Sequence, residues 1–503
     1  MDRKPTLEAS HSDIIHADTS FFGQPRGLAT LFFVEMWERF SYYGMRALLI
    51  LFMTASVARG GLGFPVVKAG AIYGFYTAMV YLLSLPGGWA ADRIFGQRRA
   101  VLYGGILIIA GQAFLMSPGL EGFYAGLGLL MFGTGLLKPN ASTMVGQLYA
   151  QGDRRRDSGF SIYYMGINLG ALLSPLACGY VGERIGWRLG FGLAGLGMVV
   201  GLIQYTLGGK YLGSAGLHPA PPKSPEAGRR LKRNTALIVA TSALILGTIA
   251  LLAATGRLEI TAQSVSASLG VVLIIVSAGI FAWLLLGPGW SVTERKRSGA
   301  ILVLFLASAV FWAAYEQAGS SLSLFAERST NRVVLGFDFP ASWFQFVPAL
   351  FVMILAPLFA WLWIALGKRE PSSPAKFVWA LLFGGIAFAI LVPPARAAIK
   401  GALVSPWWLT STYFLQTVGE MCLSPVGLSA MSKLAPARVA GLMMGLFFVS
   451  ISIGDYLAGI AASLYESMPL PELFGVVACI SFGAAVVLVL LVKPTVRLMS
   501  GVK

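Results

Sequence analysis

Residues 28–55 read LATLFFVEMWERFSYYGMRALLILFMTA, an apolar run with charges buried inside it. Spanning a bilayer takes about 20 mostly apolar residues, and this segment is longer. Yet Glu35, Glu38, Arg39, Tyr42, Tyr43 and Arg46 fall at i, i+3, i+4, i+7, i+8 and i+11, which is one face of a helix. A charge at mid-bilayer costs about 2.5–3.5 kcal/mol on insertion scales, so such residues point to function. A polar stripe of this length must face a water-filled cavity or charged partners; a structural ladder of ion pairs would use the same residues. Two carboxylates beside Arg39 within one turn also make a plausible proton acceptor.

The rest of the chain agrees with a membrane setting. Of 503 residues, 56% are hydrophobic and 12% charged, with 60 Gly and 12 Trp; the mean hydropathy is +0.73. Soluble chains carry roughly 25% charged residues, so several soluble domains could not be coated from this composition. Cys178, Cys422 and Cys479 lie far apart in apolar runs, and His11, His16 and His218 lie in polar segments. This excludes a CxxC or Cys/His metal cluster and a disulfide framework. Met1 to Arg26 is polar and of mixed charge, without the apolar centre of a cleavable signal peptide.

Roughly fourteen runs are long and apolar enough to span. They group as a tail at 1–27, six spans in 28–213, a Pro-rich basic linker at 214–233, two spans in 234–287, six in 298–492, and a tail at 493–503. The fold class expected is an all-α membrane protein with a six-plus-two-plus-six arrangement. The net charge is +16, from 38 Lys+Arg against 22 Asp+Glu. With both termini cytoplasmic, about 26 basic residues fall in inside loops and about 9 outside, as the positive-inside rule requires. That accounts for most of the charge without a nucleic-acid partner.

Other charges stand inside apolar runs: Lys138 in the fourth span, Glu316 in the seventh, Glu420 in the tenth and Asp455 in the eleventh, leaving the two central spans uncounted. A faint repeat links the halves. Pro86 to Gly96 ends the second span and Pro357 to Gly367 the eighth, ten residues apart in both, with basic residues following. Gly133/Gly135, Gly166/Gly170 and Gly441/Gly445 suggest close helix packing. No G-x-x-x-x-G-K-[ST] occurs, so direct ATP coupling is not expected.

Taken together these motifs resemble those of the proton-dependent oligopeptide transporters, a family of the major facilitator superfamily. Glu35-x-x-Glu38-Arg39-Phe-x-Tyr42-Tyr43-Gly is similar to its first-helix signature. Gly87-Gly-Trp-Ala-Ala-Asp92-Arg93-x-x-Gly96 resembles its loop motif, and Gly135-Leu-Leu-Lys138-Pro-Asn140 its fourth-helix motif. Phe160-Ser-Ile-Tyr163-Tyr164-Met-Gly-Ile-Asn168-Leu-Gly-Ala-Leu172 resembles the fifth-helix signature, and the two central spans match the extra pair of bacterial members.

The resemblance implies a fourteen-helix major-facilitator fold that imports protons with di- and tripeptides by alternating access. It implies a bacterial cell-membrane protein that works as a monomer, with no metal or cofactor and no enzymatic activity, driven by the proton gradient. Glu35, Glu38, Arg39 and Glu316 would couple protons. A peptide is a zwitterion, so its site needs fixed charge at two ends. Arg39, Arg46 and Lys138 could hold the carboxylate, and Glu316 and Asn168 the ammonium. Tyr42, Tyr43, Tyr81 and Tyr163 would supply amphipathic walls, and Glu420 and Ser424 complete the substrate set. Arg46 with Glu316 and Lys138 with Glu420 would pair across the halves as gates, with Asp92 and Arg93 as a cytoplasmic gate.

The chain departs from the family pattern at Val347-Pro348, Tyr315-Glu316, Phe447-Phe448 and Asp455. These positions touch the C-terminal half of the expected pocket. The alternative is therefore the same fold carrying another small zwitterion or anion, such as an amino acid, nitrate or a drug.

Overall fold

The computed structural model describes residues 18–150, 152–219, 224–257 and 259–501. His11, His16 and most of the N-terminal tail lie outside them. The first bundle comprises α1 (Arg26–Thr54), α2 (Val66–Leu82) continued by the short α3 (Ser84–Ala90), α4 (Gln97–Met116), α5 (Leu120–Gln147), α6 (Arg155–Arg184) and α7 (Trp187–Gly208). Next come α8 (Pro225–Ala254) and α9 (Ala262–Leu286). The second bundle holds α10 (Val292–Tyr315) with the short α11 (Ser321–Arg328), α12 (Phe346–Leu366), α13 (Ser373–Ala389) with the short α14 (Val392–Ala398), α15 (Trp407–Leu434), α16 (Ala440–Ser463) and α17 (Leu470–Leu498).

Eleven of the described helices are long and apolar enough to cross a membrane. The other three expected spans fall on α1, α8 and α15, which have the length but stand outside that set; α1 is the charged helix quoted above. The linker is shorter than expected. Pro225 opens α8, so Arg229, Arg230, Lys232 and Arg233 extend its first turns. Proline's fixed φ suits the first helical position, and Glu226 complements the positive helix start. At the other end α17 runs on to Leu498 with Pro494 inside it.

Small residues set the helix spacing, because in lipid only close packing and hydrogen bonds hold helices together. On α1, Phe32 and Arg39 lie against Gly166 and Gly170 of α6, while Trp37 and Phe40 lie against Gly201 and Gly197 of α7. Gly135 of α5 receives Leu83 and Gly445 of α16 receives Leu85, whereas Gly441 faces open space. The repeat seen in the sequence has a backbone counterpart. Gly96 and Gly367 both adopt positive φ, 79° and 48°, directly after a helix ends, a conformation that glycine alone adopts without penalty.

The two bundles meet along two seams. In one, α2 lies against α16: a Cβ on Gly74 would stand 2.7 Å from the Cα of Gly459, and the Ser452 hydroxyl donates to the Ala78 carbonyl at 2.7 Å. In the other, α6 meets α12 and the turn before it. Glu183 accepts the backbone N–H groups of Ala341 and Ser342 at 2.9 and 2.7 Å, and the Trp343 indole donates to the Leu176 carbonyl at 3.1 Å. The pair α8–α9 belongs to neither bundle; α9 packs on α2, α10 and α16.

The first seam gives a test. Gly74→Val forces α2 and α16 apart, and overpacking of this kind costs about 1–3 kcal/mol. A lowered unfolding temperature in detergent is expected; an unchanged one would mean that the seam is not the tight contact described.

Candidate functional site

The charged stripe of α1 turns inward, where α5, α6, α10, α12 and α15 enclose a cavity of about 210 Å3. From the first bundle it is lined by Glu35, Arg39, Tyr43 and Arg46 on α1, Tyr81 on α2, Lys138 on α5 and Asn168 on α6. From the second come Trp312, Tyr315, Glu316, Gln345, Val352 and Glu420. The first side thus brings three cations and one acid, Glu35, and the second side two acids and no base.

Helical phase divides the α1 stripe. Glu35, Arg39, Tyr43 and Arg46 look into the cavity, while Glu38 and Tyr42 are buried beside it. Arg39 bonds Glu38 and stands 3.3 Å from Glu35, whose other oxygen accepts the Tyr163 hydroxyl at 2.7 Å. All three ionisable groups are at most 2% exposed. Burying charge is tolerated only with pairing, and here the pairing is incomplete. Glu38 Oε1 and one terminal nitrogen of Arg39 have no hydrogen-bond partner in the structure.

Two turns further along, Arg46 joins the bundles. It bonds Glu316 directly and donates from Nε to the Tyr73 hydroxyl at 2.7 Å. Glu316 can reach it because the seventh span breaks there: α10 stops at Tyr315, a 3-10 turn runs Glu316–Gly319, and α11 follows. Gly319 matters for this contact, since a Cβ there would lie 2.9 Å from Arg46 Nε. Gln345 braces the turn by bonding the Ala318 carbonyl and the Ser323 hydroxyl.

The second expected gate, Lys138 with Glu420, is not formed. Lys138 Nζ instead sits 3.9 Å from the Tyr81 ring centre and 5.9 Å from that of Phe448, a cation held by aromatic faces. Tyr81 itself stacks on Phe448 across the α2–α16 seam, at 6.4 Å and 22°. Glu420 accepts the Tyr315 hydroxyl at 2.6 Å. Each partner has thus found a neutral aromatic residue.

Several expected residues lie off the cavity. Tyr42 packs edge-on to Tyr43, Tyr163 serves Glu35 from behind, and the half-buried Ser424 has a hydroxyl oxygen with no hydrogen-bond partner in the structure. Asp92 and Arg93 are exposed at the end of the second span, Asp92 accepting from Gln97 at 2.7 Å. Conversely, Tyr164, Trp312 and Gln345 line the wall without having been singled out, and Tyr315, named only as a departure from the family pattern, lines it too. For Tyr164 the signal was present: Tyr164, Ile167, Asn168 and Ala171 follow i, i+3, i+4, i+7, and all four face the cavity.

Comparisons with known proteins agree with this geometry. Residues 98–476 match the family model described as POT family. The chain is 41% identical over 497 residues to the peptide transporter YePEPT of Yersinia enterocolitica subsp. palearctica serotype O:3 (strain YE-P4), covering 96% of both chains. It is 36% identical, also over 497 residues, to a di-/tripeptide transporter of Lactococcus lactis subsp. cremoris, covering 97% of this chain and 99% of that one. A crystal structure of a peptide transporter POT in complex with sulfate superposes with a TM-score of 0.91 at 42% identity, covering 96% of this chain and 97% of that one. A membrane fold of two six-helix bundles around a charged cavity, matched along nearly its whole length, establishes that this chain belongs to the POT family.

Proposed function

We propose that the protein is a proton-coupled symporter that imports di- and tripeptides by alternating access. The observation that carries this reading is the split of charge across the cavity. Arg39, Arg46 and Lys138 stand with a single acid, Glu35, on the first-bundle wall, and Glu316 and Glu420 stand without a base on the second. A zwitterion of two or three residues bridges such walls, its carboxylate toward the cations and its ammonium toward the acids. The named transporters in Yersinia and Lactococcus support the same substrate class.

Coupling follows from the pairs. Arg46 and Glu316 tie the bundles together in this conformation. A proton on Glu316, or a peptide ammonium competing for it, removes the reason for Arg46 to stay, and the contact between bundles weakens. Glu35 and Glu38 on Arg39 give a second place for a proton beside the carboxylate end. Work is drawn from the proton gradient, without a cofactor or a catalysed reaction. The protein sits in a bacterial inner membrane and works as a monomer; both termini are cytoplasmic, the orientation for which its basic loops argue.

Collapsing both the pH gradient and the membrane potential in loaded vesicles is expected to abolish dipeptide accumulation above equilibrium; continued accumulation would exclude proton drive. Glu316→Gln keeps the shape and removes the charge, so accumulation of dipeptides should be lost. Unchanged dipeptide uptake together with altered uptake of another anion would favour the alternative cargo. Lys138→Ala should raise the half-saturating dipeptide concentration about ten- to a hundredfold, the worth of one charge-assisted hydrogen bond. The same change should leave competition by carboxyl-amidated dipeptides unaltered; equal effects on both would move the carboxylate away from Lys138.

A further inference from the structure

Among the described residues, Asp455 is the one buried acid that the transport scheme above leaves unused. It lies on α16, in the seam with α2, and is 0% exposed. Neither of its carboxylate oxygens has a hydrogen-bond partner in the structure, the nearby Thr77 hydroxyl donating instead to the Tyr73 carbonyl at 3.0 Å. An ionised carboxylate without partners is not stable in so dry a place; it takes up a proton or acquires a counter-charge.

The neighbours show which of the two applies. Around Asp455 the charged groups are Glu316 and Arg46, then Lys138, with the Thr77 hydroxyl facing it from α2. Arg46 is committed to Glu316 and Tyr73, and Lys138 is held over the Tyr81 and Phe448 rings. Tyr42, Tyr73 and Tyr81 complete the titratable groups on the α1 and α2 side. The other elements against α16 offer no charge near it. Trp312 of α10 meets Gly454, Gly270 of α9 meets Tyr456, and Gly427 of α15 meets Phe447. On α11, Arg328 is bonded to Glu466, past the far end of α16. No cation among the described residues is therefore free to serve Asp455 while the seam is shut.

The seam is also what separates Asp455 from water. Gly74 against Gly459 and Ser452 on Ala78 bring the two backbones together on either side of it along α16. Any movement that parts the bundles here wets the carboxyl group.

We propose that Asp455 is a second proton carrier of the transport cycle, neutral while α2 and α16 are closed and exchanging its proton with water when they part. The Asp455 O–H bond forms as a hydronium ion at the open seam gives up a proton and is left as water. It breaks as the proton passes to a water molecule reached through the cavity that Arg46 and Glu316 line, which becomes hydronium; one O–H bond is made for each one broken. The proposal rests on the symport reading above and adds to it a site distinct from the Glu35–Glu38–Arg39 cluster and from Glu316.

The test is the proton-to-peptide ratio, measured from the zero-flux potential in proteoliposomes for wild type, Asp455→Asn and Asp455→Ser. The ratio should fall by about one in both variants; a ratio equal to wild type overturns the proposal. Infrared spectra of wild type and Asp455→Asn at neutral pH in detergent decide the matter even if flux is lost. Wild type should show a carboxylic-acid carbonyl band that Asp455→Asn lacks, and identical spectra overturn the proposal. Wild-type peptide uptake that moves no proton would sink the symport reading itself, whereas an unchanged ratio in the variants sinks only the role of Asp455.

Discussion

A charge in hydrocarbon has to be answered within a few ångströms, and the architecture of this protein follows from how its buried charges are answered. Arg39 is answered inside its own helix by Glu35 and Glu38. Arg46 is answered from the opposite bundle by Glu316. The first arrangement can survive any relative motion of the two halves. The second exists only while they are together, so it reports and stabilises one conformation. Buried ion pairs often add little net stability, because desolvation offsets attraction. That weakness suits a contact that has to break in every cycle.

Much of this was legible in the sequence. The α1 stripe announced itself, because charges spaced at helical intervals in an apolar run have few explanations. The identities of Arg46 and Glu316 as partners, 270 residues apart in sequence, followed from motif resemblance, and the geometry places them together. What the sequence could not carry is rotational phase between helices. Glu38 and Tyr42 share the α1 stripe with Glu35 and Tyr43 yet face packing instead of the cavity, and Tyr163 rather than Tyr164 was picked from an adjacent pair. Both errors are of about one residue in angle, which a single sequence does not resolve.

Lys138 and Glu420 failed to meet for a different reason. A pairing rule read from charge alone neglects aromatic rings, and here Tyr81, Phe448 and Tyr315 offer each member a neutral partner. A lysine over a ring face and a carboxylate on a phenol are soft arrangements, exchanged for an ion pair at modest cost. Phe448 belongs to the Phe447-Phe448 pair named above as a departure from the family pattern, and its ring is one of the two that Lys138 faces.

The placement of α8 and α9 makes the two seams unequal. On one side, α9 covers α2, α10 and α16, so lipid tails meet that seam through an intervening helix. The α6–α12 seam has no such cover among the described elements. A bilayer that thickens, thins or changes its lateral pressure would therefore press on one joint of the molecule more directly than on the other. The near two-fold machine is in this respect lopsided, and its response to membrane composition should be lopsided with it.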